Sequence, residues 1–214
     1  AALILSASLA GHTHAERLEV LFLGDNGHHK PAERVPELMQ GLGPRGVNIT
    51  YTADPDCLHD GTLAEFDALL IYANIGEITK EQEQGLLKFV YEGGAFLPIH
   101  CASYCFLNSM QYVKLVGAQF KSHGTGTFST KIDQPDHPVM IGFEGLETWD
   151  ETYVHHKGTN DRNVLQTRDG EPWTWTREPG EGRVFYTAYG HDGRTWTNPG
   201  FHELVYRGLV WAID

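Results

Sequence analysis

Histidines in this chain stand at the ends of apolar runs, where a parallel sheet would deliver them to one edge. His28 and His29 follow LEVLFLG within DNGHHK, His100 ends FLPIH, and His191 ends GRVFYTAYGH. Acids, amides and a thiol accompany them. Asp25 and Asn26 follow the first run, Asn74 ends ALLIYAN, Cys101 follows His100, and Asp192 follows His191. Imidazole titrates near neutral pH and is the commonest metal ligand. Imidazoles gathered with carboxylates therefore point to proton transfer, or to a divalent ion such as zinc or manganese. His100, His191 and Glu151 are the candidate acid–base groups, and His28, His29, His100 and His191 the candidate metal ligands. Asp25, Asn26, Asn74, Cys101, His123, Tyr153 and Asp192 are the candidates for substrate contact.

Glu151 belongs to the stretch WDETYVHH. Strand alternation puts Asp150, Thr152 and Val154 on one face and Glu151, Tyr153 and His155 on the other. Such a Glu/His face suits metal ligation or acid–base work. An exposed polar face with a simple Glu151–His155 ion pair explains it as well. His123 precedes the Gly-rich GTGTF, which could bend it back over a pocket, but no P-loop lysine is present for cradling phosphate. His12, His14, His59 and His202 read as surface residues, and His137 in DHPVM as part of a turn. The aromatics between Trp149 and Trp196 would serve a sugar-stacking surface, and core packing accounts for most of them more cheaply.

The elements that must position these groups alternate in kind. LEVLFLG, GVNITYT, ALLIYAN and AFLPIH read as strands, the compact apolar ones as buried parallel strands. PAERVPELMQGL reads as a helix opened by Pro31, with Pro36 a cause of a kink or a late start. TKEQEQGLLKFVYEGG predicts a helix with Thr79 as N-cap and Gly93 as its stop. FLPIHCASYCF predicts a strand, a sharp turn and then a helix carrying Cys101 and Cys105. From about residue 124 the pattern turns to alternating stretches suited to antiparallel ribbons. Strand and helix return with GRVFYTAYGH and PGFHELVYRGLVWAI. The expectation is one α/β domain over residues 16–214: a three-layer, flavodoxin-like parallel sheet with a β-rich insertion before its last strand and helix. In such sheets ligands bind at the carboxyl ends of the strands.

The formal net charge is −12, and no basic stripe is present, which argues against a nucleic-acid partner. Three cysteines, Cys57, Cys101 and Cys105, are too few for a disulfide framework. The opening AALILSASLAGHTHA resembles the apolar core and cleavage site of a secretory signal, which predicts a periplasmic or secreted protein. That run is too short to span a bilayer, and no other segment comes close.

Six stretches together, GGAFLPIHCAS, FKSH, DHPV, WDETYVH, GRVFYTAYGHD and GLVWA, resemble the ThuA-like (trehalose-utilization) family, in that family's order and over nearly all of the chain after residue 18. FLGDNGHHKPAERV further resembles ThuA-like domains that precede dehydrogenase and haem-binding domains in large secreted bacterial proteins. The resemblance implies a class I glutamine amidotransferase-like fold and attached C-terminal redox domains as partners. It aligns LPIHCAS with the amidotransferase elbow, placing His100 at the nucleophile position and Cys101 one residue late. YTAYGHD then places His191 at the triad histidine, with Asp192 where the pattern wants Pro-Glu. Glutaminase activity is therefore disfavoured, since imidazole is a poor acyl acceptor beside a thiolate. The carbohydrate link implies a keto-sugar or glycoside as substrate, in hydrolase, lyase or isomerase chemistry. The competing expectation is a non-catalytic sugar- or partner-binding domain; an assembly domain that forms oligomers is a third.

Overall fold

Runs without a polar interruption become the middle of the sheet. In this computed structural model, which describes residues 17–214, ALLI and AFLP are buried at every position. The signal-like stretch 1–15 lies outside the described residues. In chain order the elements are β1 (Leu18–Leu23), α1 (Pro31–Leu42), β2 (Val47–Thr52), α2 (Asp60–Leu63), β3 (Ala68–Ile71), α3 (Lys80–Tyr91), β4 (Ala95–Pro98) and α4 (Met110–Val116). There follow β5 (Gln119–Ser129), β6 (Lys131–Ile132), β7 (Glu147–His156), β8 (Asn163–Arg168), β9 (Glu171–Arg177), β10 (Arg183–Thr187), α5 (Gly193–Trp196) and α6 (Pro199–Ile213).

The main sheet runs β2-β1-β3-β4-β10-β9-β8-β6. Its first five strands are parallel, and β9, β8 and β6 add antiparallel. β2 buries only Val47, as suits an edge strand. α1 packs on α6, while α3 packs against α2 and α4. The chain is a mixed α/β domain with a large, mainly parallel central sheet. The β-rich insertion is divided: β6, β8 and β9 extend that sheet, whereas β5 and β7 form a separate antiparallel ribbon.

Several local expectations hold for physical reasons. Thr79 caps α3 in a capping box, accepting from Gln82 N at 3.2 Å while Gln82 accepts from Thr79 N at 3.0 Å. Gly93 ends that segment at φ 117°, a conformation open to glycine. Others are corrected. α1 starts at Pro31 and passes through Pro36, so that proline does not delay it. β4 stops at Pro98, and the residues after it form a 3-10 turn (His100–Tyr104) rather than an α-helix. Cys101 and Cys105 consequently do not share an α-helical face; both are free and buried. Trp173, Trp175 and Trp196 are fully buried, so the aromatic-rich region is core. Among the described residues no helix is long and apolar enough to cross a membrane.

Candidate functional site

The carboxyl ends of β1, β3, β4 and β10 lie side by side, and the chain turns sharply beyond each. At β4 the elbow falls on His100, whose φ of 48° puts a non-glycine residue in the left-handed region. Neighbours hold this conformation. Ser103 Oγ donates to the His100 carbonyl at 2.9 Å, and the Tyr186 hydroxyl lies 3.1 Å from the same oxygen. The ring is fully buried and stacks on Tyr153 at a centroid distance of 4.0 Å. Its Nδ1 donates to the Ala188 carbonyl at 2.7 Å, which leaves Nε2 directed into the site.

At β1 a tight turn separates the paired histidines. Asp25 accepts from Gly27 N at 2.7 Å and also from Asn74 N, tying the β1 end to the β3 end. Lys30, at φ 53°, then starts α1. His28 is left exposed and His29 turned inward to 4% exposure. At β10 the loop 190–192 is held by one carboxylate. Asp150, fully buried, accepts from the backbone N–H groups of Gly190, His191 and Asp192 at 2.8, 3.0 and 3.1 Å. It also accepts from Thr195 Oγ1 at 2.8 Å and from Glu151 N at 2.9 Å.

Glu151, the next residue of β7, points the other way into the site. Its Oε2 is 3.4 Å from His100 Nε2 and 3.3 Å from His191 Nδ1, and its Oε1 is 3.3 Å from His123 Nδ1. Strand pairing delivers that third imidazole, because His123 on β5 lies opposite Tyr153 in the ribbon. His29, His100, Glu151 and His191 each offer one donor atom, and these four atoms lie within 4.8 Å of one another. Burial pushes the His29 imidazole down to about 2, helped by His100, His28 and His191, so it is neutral at physiological pH. Burial works to raise the Glu151 carboxyl, but His100, His191 and His123 together hold it below its ordinary range. Burial lowers His191 as well, against the pull of Glu151. An ionised carboxylate among imidazoles is the result.

A cleft of about 160 Å³ opens over this cluster, lined in part by His28, His29, Asn74, His123, Glu151 and Tyr153. Tyr104 and Phe120 complete its wall, meeting edge to face at 5.3 Å; sequence reasoning missed both. Asn74 Oδ1 is buried there without a hydrogen-bond partner. The remaining expected residues stand elsewhere. Asn26 is exposed on the β1–α1 loop, and Cys101 is buried beneath the elbow, its thiol pushed well up by burial. Asp192 caps α5, accepting from Arg194 N and Arg194 Nε at 2.9 and 2.6 Å. His28 stacks on His29 at 4.0 Å but is not among the four converging donors. The Glu151–His155 pair does not form. His155 lies 3.1 Å from Glu171 Oε1 and 3.0 Å from the Tyr186 hydroxyl, both behind the site. Asp150, also missed, could have been found only from its place beside Glu151 on the opposite strand face.

A mainly parallel sheet with a strained elbow after a central strand defines the class I glutamine amidotransferase-like fold, here with His100 at the elbow. The chain belongs to the ThuA family, described as trehalose utilisation, whose family model matches residues 19–212. It is similar in structure to a ThuA-like protein from Bacteroides uniformis, with a TM-score of 0.78 and 16% identity over 96% of this chain and 95% of that one. A ThuA-like protein from Parabacteroides merdae gives 0.77 and 18% over 93% and 91%. A glutamine amidotransferase gives 0.54 and 13% over 91% and 98%. Comparison with curated proteins finds no match.

Proposed function

We propose that this ThuA domain acts on a keto-sugar or keto-glycoside, moving a proton at the carbon beside the carbonyl. The observation that carries this reading is Glu151: a buried carboxylate at the cleft floor, with one oxygen toward His100 and His191 and the other toward the exposed His123. A keto group acidifies the neighbouring C–H. A base there takes the proton, the C–H electron pair becomes the double bond of an enol, and the carbonyl oxygen takes up the charge. Elimination from an oxidised sugar, the reverse addition of water to the resulting enone, and isomerisation all pass through that enolate. The family's description supports a carbohydrate substrate. The cleft's 160 Å³, small beside the ~300–1,000 Å³ of pockets for larger ligands, suits one sugar ring. Asn74 Oδ1, buried and unpartnered, is placed to accept from a sugar hydroxyl.

The test is deuterium exchange, by NMR in D₂O, at the position next to the carbonyl of keto-glycosides. The wild-type protein is expected to catalyse it and Glu151→Gln to lose on the order of 10²-fold or more, the usual worth of a positioned base. Sugar binding without exchange in the wild type would overturn the proposal in favour of a non-catalytic carbohydrate-binding domain.

A further inference from the structure

Three imidazole nitrogens in the site are buried and have no hydrogen-bond partner: His29 Nδ1, His100 Nε2 and His191 Nδ1. Their approach to Glu151, at 3.3–3.4 Å for His100 and His191, is that of ion-pair neighbours rather than of hydrogen bonds. Unsatisfied buried polar atoms are few in folded proteins, and each calls for an explanation. Because His100 Nδ1 donates to the Ala188 carbonyl, Nε2 is the nitrogen left to face the carboxylate oxygen, 3.4 Å away. A proton between them would satisfy one nitrogen and leave the others orphaned, whereas one divalent cation can accept from all four donors at once.

We infer that His29, His100, His191 and Glu151 form a mononuclear centre for a divalent transition ion of the zinc or manganese class. Three imidazoles and a carboxylate are the borderline donors such ions take. Ligand atoms held at ~2.0–2.2 Å around one tetrahedral ion stand roughly 3.3–3.6 Å apart, and Glu151 Oε2 lies 3.4 and 3.3 Å from His100 Nε2 and His191 Nδ1. The outer partners are also of the right kind. A ligating histidine ordinarily donates its other N–H to a carbonyl or carboxylate, as His100 does to Ala188. Asp150 fixes the backbone of His191 in the same way that it fixes its neighbours. Since His29 and Glu151 also line the cleft, a substrate carbonyl there would reach the ion, which would serve as the electrophile. That role in turnover rests on the keto-sugar reading; the binding of the ion does not.

The experiment uses the whole chain, stripped with a chelator and titrated with zinc chloride and manganese chloride, without sugar. One equivalent of at least one ion is expected to bind. His100→Ala, His191→Ala and Glu151→Gln should each weaken binding on the order of 10²-fold, while His28→Ala stays within a few-fold of wild type. X-ray absorption of the zinc form is expected to show only N/O neighbours, at about 2.0–2.1 Å. This readout needs no variant to fold, and it excludes Cys101. Failure to retain either ion, a sulfur neighbour in the spectrum, or unchanged affinity in the His100 and His191 variants would overturn the centre. An ion bound without exchange on any keto-glycoside would leave the centre standing and overturn the sugar reading. Full exchange by protein that retains neither ion would do the reverse.

Discussion

Five hydrogen bonds converge on the Asp150 carboxylate, three of them from consecutive backbone N–H groups of the loop that carries His191. An acceptor-only group is what five donors need. Asp150→Asn would turn an NH₂ toward one pair of those donors and leave buried N–H groups unpaired. The expected cost is about 2–4 kcal/mol in chemical denaturation, more than an exposed acid-to-amide change would bring. A loss under 0.5 kcal/mol would mean that the loop is held by other contacts. Glu151, one residue on, has few hydrogen bonds of its own and faces the imidazoles. That division of labour explains how much of the site was legible. His100, His191 and Glu151 could be read because strand ends and strand alternation make statements about direction. His29 could not be told from His28, since the tight turn at 25–30 decides which ring enters. Asp150 was hidden because its partners are backbone N–H groups, which any sequence supplies.

Two turns meet at the centre of the site, one after β4 and one after β10, and each restrains the other. Gly190 has φ 135°, and a Cβ there would lie 3.2 Å from His100 Cβ and 3.3 Å from Ile99 Cγ2. Its carbonyl accepts from Tyr72 and from Trp196 Nε1, both at 2.6 Å, so the peptide has little room to rotate. Gly190→Ala is therefore expected to destabilise by roughly 1–3 kcal/mol, the range for a strained backbone residue, with the strain falling on the elbow. A melting temperature within a degree of wild type would show that the loop relaxes freely. Tyr186→Phe and Ser103→Ala address the same elbow from beneath. Each removes a hydroxyl next to the His100 carbonyl and should cost about 1 kcal/mol. Elements of this kind were only partly readable. The apolar runs of β1, β3 and β4 and the capped α3 declared themselves. The 3-10 turn did not, because its backbone is set by contacts with β10, through Tyr186 and Thr187, that no local pattern records. Likewise, alternation marked β8 and β9 as strands but is the same for a strand that joins the main sheet and for one that stands apart.

Imidazoles buried throughout the domain give the folded chain a common response to acid. His155 is one that lies clear of the site, its ring sealed between Glu171, Trp175 and Tyr186. Burial lowers its pKa, with Glu171 opposing, and burial lowers that of His137 too. The unfolded chain takes up a proton on each near pH 6.5, whereas the folded chain resists until lower pH. Below 6.5 the unfolded state thus binds more protons, and stability falls as pH falls, by at most about 1.4 kcal/mol per pH unit for each such group and by less for the half-buried His137. Glu171 adds to this with the same sign: burial raises its pKa, His155 overrides that, and the stabilisation is lost as pH drops through its lowered value. Urea midpoints measured from pH 8 to pH 5 are expected to be level above 7 and to descend below 6.5. His155→Gln removes one of the protons, so its descent should be shallower even if its plateau is lower. Parallel curves for the variant and wild type would show that His155 is already charged in the folded protein and that its pairing with Glu171 outweighs its burial.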